Sequence, residues 1–301
     1  MGSAFILALV VGGLTALGQP TESDLGLWAI VHWSTWSLRD PQQVLATFEP
    51  TGAQCFMGTN TDGFYRGEEV GQAWAAFFRD FPVGDFAGND SVRTVPEART
   101  VFADLKLRLR DGRSLDVYSA LRFSETGKVE GADLIVYQGT SGPAPVVDGR
   151  IGAQEYRRSA RDSASGVEFS WRNGLVVLVG ALRSPGTGWV SVGFDPVRAM
   201  QGANYIIAAV SGAQLVIEDH FGTGATAHRP DAKDHIFLAA GAISGGTTVV
   251  EFIIPLDSKD PEDKPLKPKT TYTVLLAYNR TSTSFTVRHT ARGSVRIELE
   301  G

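Results

Sequence analysis

The spacing of apolar and polar positions changes character near residue 140, and the chain reads as two units. In "ESDLGLWAIVHWSTWSLRD" the apolar residues Leu25, Leu27, Trp28, Ile30, Val31 and Trp33 spread over a broad helical face. Ser37, Asp40 and Pro41 mark its end. "RGEEVGQAWAAFFRDFP" predicts a second helix, with Val70, Trp74, Phe77, Phe78 and Phe81 at three- and four-residue spacing. Glu68 and Glu69 fall in its first turn, where the helix dipole favours acids, and Pro82 closes it. Three strand-like runs follow, "VRTVPEARTVFADLKLRLR", "SLDVYSALRFS" and "ADLIVYQ", with Asp111-Gly112 as a hairpin signal between the first two.

Beyond "TSGPAPVVDGR", residues 140–150, helical spacing gives way to alternating or apolar runs. They are "VEFSWRNGLVVLVGAL", "GWVSVGFD", "ANYIIAAVSGAQLVIEDHF", "TTVVEFIIPL", "YTVLLAYNR" and "SVRIELE". Short Gly-, Pro-, Asn- and Asp-containing breaks separate them, the pattern of a β-sandwich. Asn173-Gly174 predicts one of its hairpins. The expected layout is an α+β unit over 21–138, a linker over 139–145 and an all-β unit over 146–301.

Composition narrows the function. A chain of 301 residues with 43% hydrophobic and 20% charged residues supports two soluble cores. A net charge of -5 gives no basic footprint for nucleic acid. The single cysteine, Cys55, rules out an internal disulfide and cysteine-built zinc or iron–sulfur sites. The first 18 residues, "MGSAFILALVVGGLTALG", form an uncharged apolar run ending in small residues. Such a run predicts a signal peptide or N-terminal anchor, and hence a secreted or periplasmic protein with no other membrane contact.

In the first unit, "GFYRGEEVGQAWAAFFRDFP" and "GKVEGADLIVYQ" resemble the SnoaL-like, nuclear-transport-factor-2-like family over about residues 22–138. The resemblance implies an α+β cone in which a curved sheet wraps helices around a pocket for a small ligand or partner, and a homodimer through the cone. Some relatives are cyclases or isomerases with an Asp or His acid–base. The matching chemistry here is His32 on the first helix, with Asp62, Tyr65, Asp116 and Tyr118 on strands or their edges. Asp116 and Tyr118, two apart, share a strand face, and a buried Asp there has the raised pKa of a base. The competing reading of His32 is a satisfied core side chain.

In the second unit, "VVDGRIGAQEY", "GWVSVGFDPVRAMQGANYIIAAV", "TVVEFIIPLDSKDPEDKPL", "AYNRTSTSF" and "RHTARGSVRIEL" look, in order, like a DOMON domain. That resemblance implies an immunoglobulin-like sandwich, and in one branch a b-type haem. There the iron is held by a Met after "GW-x-x-x-GF" and a His before "RG", which fall on Met200 and His289. Trp189 belongs to the first motif, and Arg288 and Arg292 flank the histidine as propionate-pairing cations. A thioether favours ferrous iron, and two protein axial ligands leave no open position, so such a centre carries electrons to a redox partner rather than catalysing. Non-haem members imply a module for carbohydrate or another extracellular ligand. A third reading makes the cone an enzyme and the sandwich its accessory.

One more cluster stands out. Asp219, His220, His228, Asp231, Asp234 and His235 crowd into "EDHFGTGATAHRPDAKDHIF". Their types suit zinc or calcium, while Gly222, Gly224 and Pro230 predict a polar loop. The acidic "LDSKDPEDKP" reads as an exposed turn.

Overall fold

A computed structural model describes residues 19–136 and 145–300, without the side chains of 86–91. The predicted leader over 1–18 and nearly all of the predicted linker over 139–145 lie outside these residues. The chain divides into two compact units, Met1–Thr140 and Ser141–Gly301.

The first unit opens with helix α1 (Glu22–Ser34), where Thr21 and Asp24 form a reciprocal capping box. Its buried stripe is Leu25, Ala29, His32 and Trp33, while Leu27 and Ile30 face solvent. The broad face expected from the sequence is therefore narrower, set by i, i+4 spacing. A 3-10 turn (Thr35–Leu38) and a short helix α2 (Pro41–Leu45) follow, the latter started by the Asp40 side chain on the Gln42 amide. Next come β1 (Phe48–Met57), β2 (Gly63–Arg66) and helix α3 (Glu68–Asp80). Strands β3 (Val83–Val95), β4 (Thr100–Leu109), β5 (Ser114–Phe123) and β6 (Val129–Val136) complete the sheet.

The sheet order is β2-β1-β6-β5-β4-β3, antiparallel except for the parallel β1/β6 pair. The run expected as one strand over 92–110 is two, because Pro96–Ala98 turns and Arg99 takes a left-handed conformation. Trp33, Trp36, Trp74 and Phe77 from the helical layer pack on Phe48, Phe56, Val101 and Val117 of the sheet. Each such side chain contributes about 1.5–3 kcal/mol on burial, so this aromatic layer fixes the helices to the sheet. The arrangement is the α+β cone anticipated for this half.

The second unit is all-β. Its strands are β7 (Arg158–Arg161), β8 (Glu168–Asn173), β9 (Val177–Ser184), β10 (Val190–Phe194), β11 (Asn204–Ser211) and β12 (Gln214–Gly224). They continue with β13 (Ala227–Pro230), β14 (Leu238–Ser244), β15 (Thr247–Pro255), β16 (Thr271–Tyr278) and β17 (Ala291–Glu298). A six-stranded sheet, β13-β12-β11-β10-β16-β17, faces a five-stranded one, β14-β15-β9-β8-β7. Between them lie Phe169, Val192, Phe194, Ile206, Phe252 and Leu276.

The six-stranded sheet also carries a second, separate apolar patch. Val190, Val192 and Phe194 of β10 point into the sandwich, and so do Ile206, Ala208 and Val210 of β11. The alternate positions Trp189, Tyr205, Ile207 and Ala209 build a patch on the outer face, with Leu275 and Ala277 of β16 packed against it. Strand alternation thus gives this sheet two buried sides.

Candidate functional site

The outer patch holds Met200 of the proposed haem ligands, and the loop carrying His289 borders it through Phe285. Met200 sits in a tight turn between β10 and β11, closed by the Gln201 amide on the Arg198 carbonyl at 2.9 Å, and packs against the patch. A Cβ on Gly222 would lie 1.9 Å from the Met200 carbonyl oxygen, so only glycine lets β12 support that turn. His289 lies near the end of the loop between β16 and β17, two residues before β17. That loop is held by the Trp189 indole, which donates to Val287 O at 3.1 Å, and by the Asn279 amide, which donates to Arg288 O at 2.7 Å. Phe285 from the same loop packs on the patch.

The β10/β16 register puts the Met200 turn beside the Phe194/Val274 end of the sheet, while the His289 loop leaves from the Val190/Tyr278 end. Both candidate ligands therefore border one face from opposite ends. Burial and the nearby Arg292 and Arg288 guanidiniums lower the pKa of His289, keeping a neutral imidazole with a free lone pair at neutral pH. Arg292 pairs with Ala277 of the patch across the strands. A neutral thioether, a neutral imidazole, an apolar floor and nearby cations match in chemical type the donors a haem b requires.

The crowded histidine and aspartate segment is not a loop. It is the β12–β13 hairpin and its exit, and alternation splits its members between faces. His220 pairs with Tyr205 on the outer side, whereas Asp219 pairs with Ile206 on the inner side. On the outer side His220 Nδ1 is 2.9 Å from His228 Nδ1, and His220 Nε2 is 2.7 Å from Glu218 Oε2. These residues with Thr226, Pro230 and Phe285 line a cleft of about 470 Å³.

On the inner side Asp219, His235 and Asp263 bring ligand atoms within 4.8 Å of one another. Asp263 comes from the acidic stretch expected as an exposed turn, yet it is only 8% exposed. It accepts from Asn204 Nδ2 at 2.8 Å and from Ser258 Oγ. Asp263 and Asn204 were missed in the sequence because the contact spans distant segments. The one available signal was Asn204 at an inward position of a strand otherwise filled by Ile206, Ala208 and Val210.

In the cone, the acid–base candidates do not converge. His32 is buried, its Nδ1 bonded to Thr47 Oγ1 at 2.8 Å and its Nε2 accepting from the Trp36 indole at 3.3 Å. Burial pushes its pKa down to about 3, so it is a neutral core side chain. Asp116 is partly exposed and faces Lys106 at 3.5 Å instead of an apolar wall. Tyr118 follows it on the same face, but it is buried and stacks on Phe102, with burial raising its pKa well above the usual value. Leu115, Val117 and Leu121, the alternate positions, are the ones that meet the helices. Asp116 and Tyr118 thus turn away from the layer holding His32. Asp62 lies in the turn before β2, and Tyr65 lines a cleft of about 370 Å³ with Phe64, Glu69 and Gln72.

Residues 167–279 match the family model of the DOMON domain, so the second unit carries a DOMON domain. Met200 lies within the matched span and His289 beyond it. No curated protein matches the chain. Among solved structures, the chain is similar to the cytochrome b domain of pyranose dehydrogenase from Coprinopsis cinerea. That likeness has 11% identity and a TM-score of 0.37 over 46% of this chain and 86% of the other. It is also similar to a cystatin-like-fold protein of unknown function from Methylobium petroleophilum PM1, at 12% identity and a TM-score of 0.35, covering 41% and 82%. AusH from Aspergillus nidulans shares 19% identity and a TM-score of 0.33 over 41% and 88%.

Proposed function

We propose that the DOMON domain binds haem b through Met200 and His289 and serves in one-electron transfer outside the cytoplasm. The carrying observation is the outer patch of the six-stranded sheet. It seats the Met200 thioether and is bordered by a neutral imidazole and Arg292, inside a DOMON sandwich. Met200 and His289 would hold the haem, which would supply reversible one-electron iron reduction there. The chain's own groups do the rest. Met200 offers a soft, neutral sulfur, and Trp189 and Asn279 hold the loop that carries His289. Arg288 and Arg292 supply positive charge for carboxylates. Electrons would pass to a redox partner protein. The cone supplies a docking or small-ligand module through the cleft at Tyr65 and Glu69. The apolar N-terminal run supports export, and no helix among the described residues is long and apolar enough to cross a membrane.

Reconstitution with haemin tests this reading. The expected result is a six-coordinate b-type spectrum, with sharp α and β bands on reduction, that is lost or shifted in Met200→Ala and His289→Ala. Unchanged spectra in both variants would sink the ligand assignment. A second reading rests on the neighbouring cleft, where His220, His228 and Glu218 stand beside Phe285. Polar groups next to an aromatic face suit a small polar ligand such as a sugar. Absence of haem binding together with saturable sugar binding, lost in His228→Ala, would favour it.

A further inference from the structure

Buried carboxylates in a folded protein are normally met by donors or by a cation. The inner end of the sandwich breaks that pattern at several atoms together. Asp219 is 5% exposed, and its Oδ2 accepts the His235 amide at 3.3 Å, but its Oδ1 has no partner. Asn204 is 7% exposed; its amide nitrogen is used on Asp263, and its Oδ1 is buried and unpartnered. Asp231 adds an unpartnered Oδ2, and its backbone amide is tied to Asp219 O at 2.8 Å. His235 Nδ1 stands 2.9 Å from Asp263 Oδ2 but in no hydrogen-bonding direction.

The surrounding charge is mostly negative. Asp263, Asp231 and Asp234 all stand near enough to act on the Asp219 carboxylate. The nearby cations are engaged elsewhere: Arg229 pairs with Glu262, and Lys233 reaches Asp260 at 3.9 Å. Asp260, Asp263 and Glu262 likewise stand near Asp231.

We propose that Asp219, Asp263 and Asn204 form the heart of a calcium-class divalent-cation site at the inner end of the DOMON sandwich, with Asp231 at its rim. Three of the four offer an unpartnered oxygen, and one of those is an amide oxygen, a donor that hard cations accept and zinc sites rarely use. The ligands come from the start of β11, from β12, from the segment after β13 and from the loop between β15 and β16. One ion would therefore fasten four separated stretches. β11 begins just after the Met200 turn, so the ion would also fix one end of the outer patch from beneath.

The test uses the full chain, stripped with a chelator and titrated with calcium chloride by calorimetry and by thermal unfolding. One tight site is expected, with an upward shift in Tm of several degrees at saturation. Asp231→Asn, at the partly exposed rim, should weaken binding by about tenfold, and Asp219→Asn should abolish it. If Asp219→Asn does not fold, the wild-type titration and Asp231→Asn still decide. No calcium heat and no Tm shift in the wild type overturns the site. Tight zinc binding that is lost in His235→Ala, with calcium inert, overturns the calcium assignment.

Discussion

The two faces of the six-stranded sheet hold opposite chemistries one residue apart. Tyr205 and His220 face outward, where Met200 and Phe285 pack on an apolar patch and His220 pairs with His228. Asn204 and Asp219, their immediate predecessors, face the inner end, which collects hard oxygens. A period of two keeps the sets apart without any extra chain. A cluster that looks single in the sequence is thus two, separated by a sheet. The difference teaches that proximity along a strand is a poor guide to shared chemistry, whereas parity is a good one.

The sharpest way to break the comparison is to move one face through the other. Gly222 lies on β12 beneath the Met200 turn, and Gly202 donates to its carbonyl at 2.7 Å. Gly222→Ala forces a Cβ against the Met200 backbone oxygen, which must shift. The expected cost is about 2–3 kcal/mol of stability from overpacking, read by denaturant unfolding. The six-coordinate haem spectrum should weaken with it. A variant as stable as wild type with an unchanged spectrum would show that the turn is not seated as described.

A buried carboxylate elsewhere in the sandwich sharpens the contrast. Glu251 is wholly buried on β15, yet its Oε2 accepts from the amides of Asp148, Gly149 and Arg150, and its Oε1 accepts from the Tyr156 hydroxyl. The protein closes this site with its own donors, which Asp219 lacks. Burial, outweighing the Tyr156 hydrogen bond, pushes the Glu251 pKa up to about 7. The folded state then holds a proton between pH 4.5 and about 7 that the unfolded state has released. Stability therefore falls as pH rises through that window, by about 2–3 kcal/mol. Urea titrations at pH 5 and pH 7 should show the slope in the wild type and a flatter one in Glu251→Gln. Parallel slopes would remove Glu251 as the source.

Much of this was legible beforehand, and the misses have physical reasons. Local turn chemistry announced both hairpins: Asp111-Gly112 joins β4 to β5, and Asn173-Gly174 joins β8 to β9. The spacing of Val70, Trp74, Phe77 and Phe78 gave α3 and its buried face. Met200 and His289 were proposed through motif order, and both lie in loops, where strand parity assigns no face. Strand β1 was missed because its first half, Glu49 to Gly52, carries polar, Pro and Gly residues, and its pairing to β6 is parallel and remote. Gly222 and Gly224 suggested a loop where one glycine clears space for a turn and the other lies at a register shift. The acidic stretch near 260 looked exposed because the side chains that bury Asp263 lie on β11 and near β13.

The smallest test compares unpartnered atoms on the two faces. The Tyr205 hydroxyl is buried without a partner on the outer side, and its ring lies over Gly193, whose Cβ would be 2.3 Å from it. Burial raises its pKa, with Arg292 pulling weakly the other way, so the hydroxyl stays protonated. Removing an unsatisfied buried hydroxyl relieves a desolvation penalty, so Tyr205→Phe should leave stability unchanged or raise it by up to about 1 kcal/mol. On the inner side the unpartnered Asn204 oxygen is a ligand atom. Asn204→Leu also removes the Nδ2 donor to Asp263, so it should lower Tm in chelator and, beyond that, lose most of the rise in Tm that calcium gives the wild type. If Tyr205→Phe lost stability, or Asn204→Leu kept the full calcium-induced rise in Tm, the assignment of the two faces would be reversed at those atoms.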